Sequence, residues 1–154
     1  MGILTDDMKR VVGEQRLGFV ATVCPDGTPN LSPKGTMAVL DDDHLVFADL
    51  RSPQTIRNLE SNPSVEVNVV DQVVRKGYRF KGVATVLRDG EDFARITAMF
   101  RDDREVEPSR IRAVVVIEVT QALPLVSPAY DTGMTEEEVT TAYKQRLVEL
   151  YGPF

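Results

Sequence analysis

Three short segments carry residue types out of keeping with the elements around them. The first is Ser32-Pro33-Lys34-Gly35, inside the run "NLSPKGTMAVL", which otherwise reads as strand. A proline removes a ladder donor, and a lysine is almost never fully buried. Such a break frees main-chain donors and acceptors, Gly35 admits a ligand close to the backbone, and Lys34 supplies a cation. The same residues would equally guard a sheet edge against pairing with another chain, and spacing alone leaves the two readings level. The second segment is "RSPQT", with Arg51, Ser52, Gln54 and Thr55 at a helix start. Unpaired N–H groups and the helix dipole favour an anion there, although Pro53 lacks an N–H and a Ser-Pro start also serves as an ordinary cap. The third is Ser127-Pro128-Ala129-Tyr130, a second Ser-Pro beside a tyrosine in a stretch that also reads as a plain loop. The chemistry these residues suit is the holding of a small anion.

Other chemistries lack their residues. One cysteine, Cys24, and one histidine, His44, leave no Cys/His cluster for zinc or iron and no disulfide within the chain. His44 follows Asp41-Asp42-Asp43 in a solvated turn, which argues against a Ser-His-Asp hydrolase, and Cys24 reads as a small buried hydrophobe. Neither a Gly-rich dinucleotide fingerprint nor a P-loop is present. With 18 Lys+Arg against 24 Asp+Glu, the net charge is −6 and no basic block stands out, which disfavours nucleic acid. Apolar runs fall short of a membrane span and the first ten residues are too polar for a signal peptide, so a cytoplasmic protein with no membrane partner is expected.

The elements that must position these segments follow from periodicity. Thr5 caps a short helix carrying Met8, Val11 and Val12 on one face. "LGFVATVC" is a β-branched strand ended by "PDGTP", and the chain returns through "NLSPKGTMAVL", turns at "DDDH" and leaves through "LVFADL", an antiparallel meander. A helix with Ser52 as N-cap and Ile56 and Leu59 on its apolar face stops at Asn62-Pro63. Strands "SVEVNVVD" and "GYRFKGVATVL" follow, the second with Tyr78, Phe80, Gly82, Ala84 and Val86 on one face. Gly82 marks a bulge or room for a flat ligand. "DGEDFARITAMF" is a helix, "IRAVVVIEVTQALPLV" a last long strand, and a Thr135/Glu138 capping box opens a helix over about 135–150. The prediction is one mainly β (α+β) domain over 1–154, a small closed or half-closed antiparallel barrel over about 17–131 with peripheral helices.

In their order, "FVATVCPDGTPNLSPKGT", "LVFADLRSPQTIRNLESNPSVEVNVVD", "GYRFKGVATV" and "LVSPAYD" resemble the FMN-binding split-barrel superfamily, and more closely its pyridoxamine 5′-phosphate oxidase-like members. The resemblance implies a six-stranded antiparallel split barrel, a homodimer, and FMN in clefts at the subunit interface. By position, Ser32, Pro33, Lys34 and Gly35 would line the isoalloxazine. Asp49, Arg51, Ser52, Gln54 and Thr55 would hold the ribityl phosphate, Phe80 and Gly82 would form a wall near the flavin, and Ser127 and Tyr130 would reach the site, from the partner in one version. The chain departs from the name-giving enzyme: it ends "LVELYGPF" instead of an Arg-rich segment, and Gln54-Thr55 stand where an Arg-Lys pair holds phosphate. The implied activity is hydride transfer between FMN and an unknown small molecule. A deazaflavin (F420) reductase, or a non-catalytic flavin carrier or sensor, are the alternatives.

Overall fold

The computed structural model describes residues 2–154. Its strands are β1 (Gly18–Val23), β2 (Pro29–Lys34), β3 (Ala38–Val39), β4 (His44–Asp49), β5 (Ser64–Asp71), β6 (Lys76–Leu87) and β7 (Ala113–Val126). Helices α1 (Asp6–Gln15), α2 (Pro53–Ser61), α3 (Gly90–Arg104) and α4 (Glu136–Tyr151) lie between and after them. All pairings are antiparallel, in the order β2-β1-β5-β6-β7-β4-β3.

That order has a geometric consequence. β2 and β3 are consecutive in sequence yet stand at opposite edges of the sheet, joined only by residues 35–37. Six inter-strand gaps would separate the edges of a flat sheet by about 29 Å. Four Cα–Cα steps from residue 34 to residue 38 reach at most about 15 Å. The sheet therefore curls until its edges nearly meet. The expected six strands become seven because "NLSPKGTMAVL" is cut in two, one half serving each edge.

Side-chain chemistry holds the closure. Thr36 Oγ1 donates to the Ala48 carbonyl at 2.9 Å and accepts from the Ala48 N–H at 3.0 Å. The β3–β4 register, Ala38 opposite Val46, would next place Thr36 opposite Ala48. The hydroxyl thus continues the ladder where the backbone has turned away. Met37, fully buried, plugs the seam.

Two apolar clusters fill the fold. The barrel interior gathers Val20, Met37, Leu45, Phe47, Val67, Phe80 and Ile117 under α1 and α2. The second packs Ile96 and Phe100 of α3 on Ala38, Val46 and Val114. β4 and the first half of β7 are covered on both faces, which is why they read as continuous apolar runs rather than alternating ones. Two of the three predicted caps are present: Thr5 accepts from Met8 N–H, and Thr135 and Glu138 form a reciprocal capping box. Among the described residues, no helix is long and apolar enough to cross a membrane.

Candidate functional site

Alternation along β2 separates the two odd residues of "SPKG". Pro33 points outward and is exposed, whereas Lys34, one residue on, turns into the fold and is 4% exposed. β2 is an edge strand, so the guarding role is open to Pro33, but Lys34 cannot share it. Its ammonium donates to Ser32 Oγ at 2.5 Å and to Ser52 Oγ at 2.8 Å, and stands 5.8 Å from the centre of the Phe47 ring. Burial lowers its pKa below the ordinary lysine range, and the nearby Asp49 carboxylate draws it partly back. Among the described residues Lys34 makes no ion pair. Asp49, also 4% exposed, spends its Oδ1 on the Ser52 N–H at 2.7 Å.

Ser52 corrects an expectation. Its side chain makes no capping bond to α2, and its φ of −137° and ψ of 59° leave the hydroxyl with Lys34. The start of α2 is therefore uncapped by its own serine and lies beside a buried cation. Gln54 is turned away: its Nε2 donates to Asn58 Oδ1 at 2.7 Å and its Oε1 accepts from Arg57 at 2.8 Å. Thr55 is buried in the first turn and Arg51 is exposed at the junction. Gly35 is exposed, and nothing lies within 4 Å of where a Cβ would stand, so no contact inside the chain requires a glycine there.

The remaining candidates stand elsewhere. Phe80 is wholly buried in the barrel interior. At Gly82 the space of the missing side chain is taken by the Glu118 carbonyl, not left for a ligand. The register explains the approach: Lys81 faces Gln121 and Gly82 faces Val119, so Thr120 is an extra residue on β7 and presses that strand inward. Gly82→Ala is expected to lower the unfolding free energy by about 1–3 kcal/mol, measured by denaturant titration. Ser127 and Tyr130 dock on the β5–β6 turn: Ser127 N–H donates to Arg75 O, and Tyr130 Oη donates to Val74 O at 2.6 Å with Lys76 over its ring. Ser127 also lines a cleft of about 480 Å³ with Val70, Gln72, Arg75, Val126 and Tyr143. Within one chain they make no contact with Lys34. Residues the sequence reading passed over are Thr36, Asn58 and Arg104, whose Nη2 donates to Met37 O at 3.1 Å. An asparagine on the apolar face of α2, between Ile56 and Leu59, was the available signal for Asn58.

The sequence profile of the pyridoxamine 5′-phosphate oxidase family matches residues 4–124. The chain belongs to that family. An uncharacterised protein of Methanocaldococcus jannaschii is 28% identical over 127 residues, 80% of this chain and 82% of its own length. The solved structure of HupZ from Group A Streptococcus is 31% identical with a TM-score of 0.72, covering 81% of this chain and 96% of HupZ. Below 25% identity the likeness is of fold alone. Such family-like folds include an FMN-binding protein of Syntrophomonas wolfei (17%, TM-score 0.66, 80% and 87% covered) and an F420 reductase (23%, 0.63, 77% and 98%). The heme storage protein HutZ of Vibrio cholerae is another (22%, 0.65, 82% and 95%). The Lys34–Ser52 cluster falls within the matched residues.

Proposed function

We propose that this chain binds FMN and acts as a flavin-dependent oxidoreductase on an unidentified small molecule. The observation that carries the reading is Lys34: a buried ammonium held by two hydroxyls, with no ion pair among the described residues, beside the open N-terminus of α2. A buried charge whose carboxylate neighbour, Asp49, is near but not in direct contact is costly unless something supplies a closer counter-charge. A phosphate ester does so, received by Lys34, the Ser52 and Ser32 hydroxyls and the first-turn N–H groups. Gly35, open to solvent with no internal reason to lack a side chain, leaves room for a flat ring along the crossing segment. The bound flavin would supply hydride transfer, and the protein's part is to orient it and keep water away.

A second copy completes this reading. Leu31, 67% exposed, and Phe19 and Pro33 beside it form an apolar outer face on β1 and β2 suited to burial in a homodimer. Ser127 and Tyr130, remote from Lys34 in their own chain, would then enter the partner's site. The F420 reductase likeness supports a deazaflavin as the alternative cofactor, and a chain that binds flavin without turnover would be a carrier or sensor. Heme is less well served: the one histidine opens β4, at the far end of that strand from Asp49, its Nδ1 against Asp41 at 2.8 Å.

The test is the absorption spectrum of the purified protein, with mass spectrometry of the released ligand. A flavin spectrum and FMN mass are expected. A deazaflavin or a Soret band would replace the cofactor, and a colourless protein that takes up none of the three would overturn the reading. The pH dependence is a sharper check. Affinity for FMN needs the charged ammonium, so it is full below the lowered pKa of Lys34 and falls as pH rises through it. Lys34→Arg, which stays protonated, is expected to flatten that fall in a fluorescence titration, with riboflavin as the control for ring ionisation.

A further inference from the structure

The first turn of α2 is not held by a cap, yet it must keep its N–H groups in place for an anion. We infer that Asn58 is the positioning residue that holds it, through a one-way chain of amide hydrogen bonds anchored on β1. The inference rests on the phosphate reading above. Arg57, exposed to solvent, donates to Gln54 Oε1 at 2.8 Å. That guanidinium can only donate, so it fixes which way the Gln54 amide faces. Gln54 Nε2 then donates to Asn58 Oδ1 at 2.7 Å, which fixes the second amide in turn. Asn58 Nδ2 is left to donate to Thr22 Oγ1 at 2.9 Å and, more weakly, to Cys24 Sγ at 3.5 Å. Asn58 is fully buried and Thr22 nearly so, and both are partnered, so the chain is satisfied from end to end.

The chain has two effects on the site. It ties the helix start to β1 across 36 residues of sequence, with no cap or ion pair in between. It also holds both ends of the Gln54 side-chain amide to later residues of α2, which immobilises the first turn from its side chain. Asn58 touches no ligand in this scheme and acts only through the turn it holds.

The experiment compares Asn58→Leu and Thr22→Val with the unaltered protein. Thr22→Val is nearly isosteric and covers the case in which Asn58→Leu does not fold. The first readout is the ratio of FMN to riboflavin affinity, since the two ligands differ only in the phosphate. Both variants are expected to lose roughly tenfold in FMN affinity while riboflavin affinity stays within about twofold. A general loss of packing would weaken both ligands together, and that result would overturn the inference, as would an unchanged ratio. The second readout needs no flavin: backbone order parameters of Gln54 and Thr55 by NMR relaxation. They are expected to fall from about 0.85 toward 0.6 in the variants, and values that do not move overturn the positioning role. An unaltered protein that binds neither flavin, with order parameters that do fall in the variants, would overturn the FMN reading and uphold the lock.

Discussion

Lys34→Met is expected to weaken FMN binding by roughly ten- to hundred-fold while leaving the ligand-free protein as stable as before, or more so. The loss follows from one charge-assisted contact to phosphate, worth about 1.5–3 kcal/mol. The gain follows from what Lys34 costs the empty fold. Its ammonium is buried among hydroxyls and an aromatic ring with no ion pair among the described residues, and burial depresses its pKa more than the nearby Asp49 carboxylate raises it. In the interval between the lowered folded value and the ordinary one, the unfolded chain binds more protons than the folded chain. Stability of the free protein therefore rises as pH climbs through that interval, opposite in sign to the fall in FMN affinity. Methionine fills the volume without the charge and removes both effects. Fluorescence titration and thermal unfolding, run on the same preparations, give the two signs. A variant that loses stability and keeps its affinity would show that Lys34 is structural.

Thr36→Val is expected to cost about 2–6 kcal/mol of unfolding free energy, as two buried backbone groups lose their partners at about 1–3 kcal/mol each. Valine reproduces the shape of threonine but not its hydroxyl, and Ala48, 3% exposed, has no water to turn to. Ala48 is adjacent to Asp49, so slackening there should also reach the Ser52 N–H that Asp49 holds. Denaturant unfolding measures the first effect. An unchanged midpoint would mean that the seam is held by the burial of Met37 alone. Thr36→Ser, which keeps the hydroxyl, is expected to recover most of the loss.

Local chemistry was readable where it is decided locally. "SVEVNVVD" and "GYRFKGVATVL" match β5 and β6 to within one residue at each end, because alternation and a turn specify a hairpin without help. The Thr135/Glu138 box opens α4 as expected, since both partners lie within one turn. Ser52 shows where such reasoning misleads. A serine before Pro53 caps a helix by default, but a lysine 18 positions earlier competes for its hydroxyl and takes it. Gln54 likewise finds partners that its place at a helix start does not announce, Asn58 and Arg57. Gly82, read as a bulge or as ligand space, lies opposite a bulge that belongs to the neighbouring strand.

The amino-acid sequence by itself determined the list of elements except for the division of one strand into two, the scarcity of the residues that Cys/His metal and hydrolase chemistry needs, and the three segments that stand out from their surroundings. These depend on propensity, periodicity and residue type, which act over one or two turns of chain. Only the tertiary structure decided that "NLSPKGTMAVL" is divided between the two edges of one sheet, that Thr36 stands in for the missing rung, and that Lys34 faces Ser52 instead of solvent. The physical reason is the curl of the sheet. Twist accumulates over seven strands, and whether edges separated by six gaps come within reach of a three-residue crossing is a property of the whole array. Once they do, a break in a strand becomes a closed seam, and the cation beside it is carried inward to the start of α2.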